Sequence, residues 1–397
     1  MGLRKENSEI INDYEFVKCN LCDADNYEVI WEGNGFRKCL CGECGLAYLN
    51  PRMTVEKAKS YYGDYIQPFP SGYLTREDNN FIRAARDQYH FIHSALNLPD
   101  TGTILELGSG YGFFLNMFRG WDVIGVEASS HAADYAINEF GLNIQKKTIE
   151  EAELPKNYFD VVAIFHVLEH LGNPIQTLSN IYNLLKKDGV LFLEVPNVYN
   201  PVFSLTEFIF HVYQHMYDFS PVTLNSMLSK VGFEKIYMAD HPLLMYHPSN
   251  LRVIARKINH EVKKQDNDRE NVKVALLKFY NWVESIKSYI NNLIDNWISM
   301  GKKVLIYGAG IHTQALIELI DFKNCNMLGI VDDNVSKVGS KVGKWKVYAI
   351  DDINKLNPDI ILISSYAFEN EIYDKLNKLK RKDVDIVKIY GGLENDS

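Results

Sequence analysis

The chain has 397 residues, 46% of them hydrophobic and 23% charged, with a net charge of −9. At roughly 100–200 residues per domain this length makes two or three domains, and the apolar content excludes wholesale disorder. The acidic balance argues against a nucleic-acid binder that works by general phosphate neutralisation. No apolar run approaches the ~18 residues of a membrane span. The start, Met1-Gly2-Leu3-Arg4-Lys5-Glu6, does not read as a secretory signal, and Glu6 stands where an acylation signal at Gly2 wants Ser or Thr. The expected location is the cytoplasm, with neither membrane nor nucleic acid as partner.

Five of the six cysteines lie between Cys19 and Cys44. Cys19 and Cys22 form one C-x2-C pair, and Cys41 and Cys44 form another. Eighteen residues separate the pairs, within the spacing of a zinc ribbon. Two such turns can close a tetrahedral four-thiolate site, and a closed site is structural, not catalytic. A segment with little core of its own draws folding free energy from such an ion. Cys39 is the spare thiol and an alternative ligand to Cys41. Cys325 stands alone in an apolar setting and reads as core.

An aromatic stretch follows, Tyr61-Tyr62-Gly63-Asp64-Tyr65 and then Pro68-Phe69-Pro70-Ser71-Gly72-Tyr73, which Pro and Gly mark as a loop. The spacing predicts a helix over 80–96. Thr103-Ile104-Leu105-Glu106-Leu107 reads as a buried strand. It runs into Gly108-Ser109-Gly110-Tyr111-Gly112 and a predicted helix carrying Phe113, Phe114, Met117 and Phe118. A second strand, Val123-Ile124-Gly125-Val126, ends at Glu127, 19 positions after Gly108. Strand, glycine loop, helix and an acid about 20 residues on is the start of a nucleotide-binding unit.

The glycine spacing is G-x-G-x-G, not G-x-G-x-x-G, and Glu106 precedes it by two residues. An acid there repels a pyrophosphate and suits a ligand with cationic groups, such as the sulfonium and ammonium of S-adenosylmethionine (SAM). ILELGSGYG followed by GVEAS resembles the first motif and the ribose-binding acid of class I SAM-dependent methyltransferases. Phe159 to Leu171 resembles that family's fourth-strand motif, and Leu184 to Leu191 its turn into the fifth strand. The resemblance spans roughly 100–257. It implies that Glu106 and Gly108 lie near the methionine end and that Gly110 and Gly112 let the backbone approach the cofactor. It also implies that Glu127 holds the ribose hydroxyls and that Thr148 and Ile149 border the adenine. Glu150 reads as a solvated acid.

Methyl transfer from a sulfonium is an in-line displacement, so the protein chiefly positions the nucleophile. An alcohol or carbon-acid nucleophile also needs a base near neutral pKa, and histidine supplies one. His166 follows the strand Val161–Phe165, at the carboxyl end where doubly wound sheets bind ligands. His170 and Glu169 read as structural. His211, Tyr213, His215 and Tyr217 fall before a predicted helix over 221–231, with Ser220 as its cap. His215 is the second candidate base.

A long amphipathic helix is expected from His260 to Ser299, with Leu276, Leu277, Phe279, Trp282, Ile286, Ile290 and Leu293 at helical spacing. Lys303 to Gly310 opens a second strand–glycine–helix unit, Met327–Val331 ends at Asp332-Asp333-Asn334, and Pro358 to Ser364 is a later strand. This unit alone suits NAD, but Thr313 replaces the third glycine of the fingerprint. The order of parts resembles the zinc-containing three-domain C-methyltransferases of nucleotide-linked deoxysugars. GKKVLIYGAG, GIVDDNVSKVGSKV and NPDIILISSYAFENEI resemble that family's C-terminal domain. Three stretches depart from it. Its Tyr-His-Glu-His loop reads Val212-Tyr213-Gln214-His215, its Pro-Tyr reads Pro68-Phe69, and its glycine-rich stretch before Leu-Arg reads Pro248-Ser249-Asn250-Leu251-Arg252.

The expected architecture is α/β throughout. A zinc-binding module and aromatic loop occupy 1–75, a Rossmann-like SAM methyltransferase domain 76–258, a helical linker 259–300 and a smaller Rossmann-like nucleotide-binding domain 301–397. The expected activity is C-methylation of a nucleotide-linked sugar, with SAM and structural zinc. O-methylation of a sugar or glycan is the alternative. An NAD-dependent enzyme, or a protein that only binds SAM, is the alternative of another class. Arg252 and Lys337 are candidate partners for a substrate diphosphate in this acidic chain. The sequence leaves the oligomeric state open.

Overall fold

The computed structural model describes residues 13–33, 35–63, 74–75, 79–241, 250–258, 266–379 and 383–391. Phe69, Pro248 and Ser249 lie outside them, as does most of the aromatic loop. The chain divides into two compact units, one of residues 2–202 and 211–277, the other of 203–210 and 278–397.

The first unit opens with strands β1 (Tyr14–Glu15), β2 (Tyr27–Gly33), β3 (Phe36–Cys41), β4 (Ala47–Leu49) and β5 (Arg52–Met53). After the helix Asn80–Leu96 come β6 (Thr103–Leu107), β7 (Asp122–Val126), β8 (Asn143–Gln145), β9 (Phe159–Phe165), β10 (Leu185–Pro196), β11 (Tyr217–Asp218), β12 (Phe233–His241) and β13 (Asn250–Lys257). Seven of these form one sheet in the order β12-β13-β10-β9-β6-β7-β8. Strands β6 to β10 run parallel, and β13 is antiparallel to both its neighbours. Ile104, Leu105, Val161 to Ile164 and Leu191 to Leu193 are completely buried. Continuous apolar runs of this kind belong to parallel strands covered on both faces. Strand order reverses between β6 and β9, so the loops that leave their carboxyl ends diverge there.

The helix expected after the glycine loop is reduced to one tight turn, Leu115–Met117. Met117 and Phe118 donate to carbonyls three residues back. The aromatic run is committed to the core, where Phe114 and Phe118 meet edge-on at 5.1 Å and Phe118 meets Trp121. The stretch Tyr61–Gly63, expected as loop, instead ends the helix Val55–Gly63. The helices Asn80–Leu96 and Pro221–Val231 have the expected limits, and Ser220 caps the second with Thr223.

A four-stranded sheet, β11-β4-β3-β2, joins the cysteine-rich segment to the later stretch that carries the histidines. Tyr217 pairs with Tyr48, and Asp218 with Ala47. Beneath this pairing Lys38 is wholly buried and reaches Asp218 at 2.5 Å and the His215 carbonyl at 3.3 Å. Burial pushes the Asp218 carboxyl up, but the Lys38 ammonium and the His211 imidazole outweigh it and hold it below the usual carboxylate range. Arg52 donates to the Tyr217 hydroxyl at 2.5 Å and to the Gly172 carbonyl. The Asn20 side chain bonds Asn173 at 2.9 Å.

The second unit holds β14 (Lys303–Tyr307), β15 (Asn326–Asp332), β16 (Lys341–Val342), β17 (Trp345–Ala349), β18 (Ile360–Ile363) and β19 (Asp385–Lys388). They form one sheet in the order β16-β17-β15-β14-β18-β19, parallel except for the β16–β17 pair. The long helix is described over Arg269–Ser299 and lends residues to both units. Its buried stripe is Val272, Leu276, Phe279, Val283, Ile286, Ile290, Ile294 and Trp297. Leu277 faces outward.

Replacing Lys38 by Met strands a buried carboxylate, which costs about 3–5 kcal/mol. Denaturant unfolding of Lys38→Met is expected to show that loss, and adding Asp218→Leu to recover much of it. In the wild type the Asp218 contribution is fully present above its unfolded value of about 4. It is lost as pH falls through the lower folded value. The acid limb of the stability profile should therefore flatten in the double variant.

Candidate functional site

The site is built where the sheet reverses. At the end of β6 the chain turns through Gly108, Ser109 and Gly110, with φ of 74° at Gly108 and 51° at Gly110. A β-carbon on Gly108 would stand 2.4 Å from Val167 Cγ2, so the loop from β6 touches the loop from β9 only with glycine there. Around a β-carbon on Gly110 there is nothing within 4 Å. The backbone is open to a ligand at that point. Gly112 closes the turn by donating to the Ser109 carbonyl at 2.9 Å.

Two acids lie under the loop. Glu127 ends β7 and accepts from Gly110 N at 2.8 Å and Ser129 N at 2.7 Å. Burial raises its carboxyl above the usual range, against the pull of those two amides. Glu106 is more deeply buried. Burial first, and the nearby Glu127 charge second, raise its carboxyl well above the ordinary value. Its Oε2 and the Ser109 hydroxyl are buried without a hydrogen-bond partner among the described residues. A pair of buried carboxyls with an orphaned acceptor under an open glycine loop fits a ligand that brings positive charge and donors. The residues therefore suit SAM. Thr148 and Ile149 follow β8, beside Glu127, whose N–H donates to Gln145 O. The Thr148 hydroxyl bonds Glu151 at 3.2 Å, and Ile149 packs on the core. Glu150 is exposed.

On the other side of the reversal, His166 follows β9 and donates its N–H to Glu194 O at 2.9 Å. Its φ is 53°, an uncommon conformation for a residue with a side chain. His166 Nδ1 lies 3.6 Å from Glu169 Oε1, and His170 Nε2 lies 3.8 Å from the same oxygen. Burial raises the Glu169 carboxyl, but the two imidazoles outweigh it and hold it below its ordinary value. His170 Nδ1 meets Gln214 O at 3.1 Å, and its ring meets the His215 ring at 4.9 Å. His215 continues to His211 at 5.7 Å, and His211 Nδ1 bonds Asp218 at 2.8 Å. The sequence-predicted His166 and His215 therefore belong to one chain of titratable groups running from the sheet edge to Asp218. Glu169, read as structural, is its central anion. Asp218 and Lys38 were not anticipated, and no local spacing relates Lys38 to a residue 180 positions away.

The four cysteines converge. Cys19 and Cys44 sulfurs are 3.5 Å apart, and those of Cys22 and Cys41 3.4 Å apart. All four lie within 4.8 Å of one another. Zinc–sulfur bonds of about 2.3 Å in a tetrahedron put sulfurs about 3.8 Å apart, so the donor set fits that ion. Hydrogen bonds from Cys19 and Cys44 pull the Cys41 thiol below its usual range. Asp23 and Gly45, each following a pair, have φ of 63° and 77° and turn the chain back. Cys39 is buried apart, with its sulfur 3.9 Å from Asn50 O. Cys325 is buried in the second unit.

In the second unit Asp332 ends β15 and accepts from Ala309 N at 2.6 Å, in the glycine loop. Lys337 lies 3.3 Å from Asp332. Thr313, at the third-glycine position, is buried, donates to Gly308 O at 2.5 Å and shares a hydrogen bond with the Ser364 hydroxyl at 2.8 Å. Its hydroxyl is spent on the loop it would otherwise crowd. Arg252 is buried against Glu194 and lies 2.7 Å from Asp87.

Residues 77–237 match the model of a methyltransferase domain family. This segment is similar to a methyltransferase domain. It has the class I, SAM-dependent fold, whose strand order and glycine loop the structure displays. Residues 300–387 match a second model, C2185-like, N-terminal. The chain is similar to a ubiquinone biosynthesis O-methyltransferase of Haemophilus ducreyi, 29% identical over 122 residues, 28% of this chain and 52% of that protein. It is 31% identical over 101 residues to the Rickettsia bellii protein of the same name, 24% of this chain and 42% of that one. The chain thus spans about half the length of these relatives. Among solved structures it resembles the 1,6-didemethyltoxoflavin-N1-methyltransferase of Burkholderia thailandensis (19% identity, 55% of this chain and 97% of that one, TM-score 0.42). It also resembles a SAM-dependent methyltransferase from Mesorhizobium loti (15%, 47% and 100%, TM-score 0.36).

Glu127→Ala in the methyltransferase domain is expected to weaken SAM at least tenfold by calorimetry. The raised Glu106 carboxyl favours its protonated form in the free protein, and a cationic ligand favours the ionised form. SAM binding near neutral pH should therefore release protons and tighten as pH rises. Calorimetry in buffers of different ionisation heat checks this, and Glu106→Gln should abolish the proton release.

Proposed function

We propose that the protein transfers a methyl group from SAM to a small, polar, sugar-bearing acceptor, nucleotide-linked, using a histidine base. The observation that carries this is the meeting of two features at the reversal of the sheet. One is the buried Glu106–Glu127 pair under an open glycine loop; the other is His166 with Glu169 at its Nδ1. Glu127 would hold the ribose hydroxyls and Glu106 the positively charged end of the cofactor. When bound, SAM supplies an activated methyl group. A carboxylate at Nδ1 favours the tautomer with its proton there, leaving Nε2 to accept one from the acceptor. His170, His215 and His211 extend the path of protonation to Asp218, so His215 acts as a second base or as a relay behind the first.

Methylation at carbon follows the resemblance to sugar C-methyltransferases. Methylation at oxygen has its own support in the curated relatives, which are O-methyltransferases, and in Gln214, an amide that takes no proton as a carboxylate does. Zinc on Cys19, Cys22, Cys41 and Cys44 would hold the two turns that lead into β3 and β4. These strands carry Lys38 and the edge on which β11 pairs, so the ion serves the catalytic segment by positioning it.

Incubation with methyl-labelled SAM and a panel of nucleotide-sugars, followed by location of the label, tests the acceptor and the methylated atom. Label in no member of the panel refutes the sugar reading. His166→Ala and His215→Ala are expected to lower turnover at least a hundredfold and about tenfold respectively, with SAM affinity nearly intact. Elemental analysis should find one zinc per chain, and Cys41→Ser should lose both the metal and several degrees of Tm. An unchanged Tm in a metal-free protein would count against a structural ion.

A further inference from the structure

Asn250 begins β13 at the carboxyl edge of the methyltransferase sheet, paired with Pro196 at the end of β10 and His241 at the end of β12. It is 0% exposed. Neither its Nδ2 nor its Oδ1 has a hydrogen-bond partner among the described residues. A buried primary amide that satisfies neither its donor nor its acceptor is rare, because each lost bond to water goes uncompensated. Two residues along the same strand face, Arg252 is 1% exposed. Its Nε bonds Glu194 and its Nη2 bonds Asp87, yet its Nη1 is also buried without a partner among the described residues. On the neighbouring helix, Phe91 lies by Phe192 and Tyr237, Asp87 is engaged by Arg252 and His241, and the Gln88 amide donates to Glu194 Oε2 at 2.6 Å.

The position gives these orphans a purpose. His166 donates to Glu194 O on β10, and Asn250 lies beyond β10 on the next strand. Two strand spacings separate them, about 10 Å along the sheet edge. We infer that Asn250, with Arg252 Nη1 behind it, is an acceptor-binding subsite that takes adjacent hydroxyls of a sugar ring. Nδ2 donates to one hydroxyl and Oδ1 accepts from its neighbour, so the amide reads a paired donor and acceptor. A ring held this way at its far side lies across β10 with its near side at His166. The inference rests on the acceptor reading above. It adds the residue that selects and orients the acceptor and leaves the SAM site untouched.

The test uses the full chain and the near-isosteric Asn250→Leu. Without ligand, removing an unsatisfied amide should leave Tm equal to or above that of the wild type. A fall of several degrees would mean that the amide is satisfied in the free protein, and overturns the proposal. Binding is then read by thermal shift in the presence of S-adenosylhomocysteine with UDP-glucose, TDP-glucose, UDP and glucose 1-phosphate. The wild type should be stabilised by the sugar-bearing probes and not by UDP, and Asn250→Leu should lose that response at least tenfold in concentration. Equal responses in the two proteins overturn the proposal, and so does a wild type stabilised by UDP as strongly as by UDP-glucose, since the subsite then reads the base. A wild type that no probe stabilises overturns the sugar assignment. SAM calorimetry should be unchanged in the variant. Failure of the methyltransferase reading shows instead as loss of SAM binding in the wild type.

Discussion

The reversal of strand order between β6 and β9 is the constraint on which the site depends. Parallel strands must be connected by crossovers, and crossovers on one side of β6 run to β7 and β8 while those on the other run to β9 and β10. Two neighbouring carboxyl ends therefore send their loops apart, and the gap between them needs no further device to bind a ligand. The glycine loop carries the acid pair on one side. His166 and Glu169 come from the other. Gly108 sits at the junction, where Val167 leaves no room for a β-carbon.

Charge burial divides the first unit into regions with different purposes. At Lys38 and Asp218 opposite charges are paired, and the carboxyl is held ionised. Arg252 with Glu194 and Asp87 repeats the arrangement on the face below the helix Asn80–Leu96. Glu106 and Glu127 do the reverse, placing two carboxyls together out of water, where burial and the neighbouring charge hold Glu106 toward its protonated form. A fold gains nothing from that on its own, and the arrangement becomes favourable only when a cation arrives. Asn250 belongs with the acids in this respect, because its amide has no hydrogen-bond partner among the described residues.

The cysteine module and the methyltransferase sheet share one unit through β11. A strand of two residues pairs with β4, and Arg52, Tyr217, Asn20 and Asn173 fasten the same junction. Ordering the cysteine turns and ordering the histidine segment are thus linked physically, although about 170 residues separate them in the chain.

The sequence by itself determined the local features. C-x2-C pairs, alternating buried strands, glycine loops, the cap at Ser220 and the acid ending β7 are each written within a few residues, and each reappears in the structure. It misjudged the segment after Gly112, because helix propensity is local while the pull of Phe114 and Phe118 into the core is not. The position of Glu169 between two histidines is visible only once the turn after β9 has folded. Lys38 beneath Asp218, the line of imidazoles from His166 to His211, the withdrawal of Arg252 from solvent and the stranded amide of Asn250 were decided by tertiary structure alone. All depend on segments that are distant in the chain, and their energies come from burial, which no residue has until the sheet closes over it.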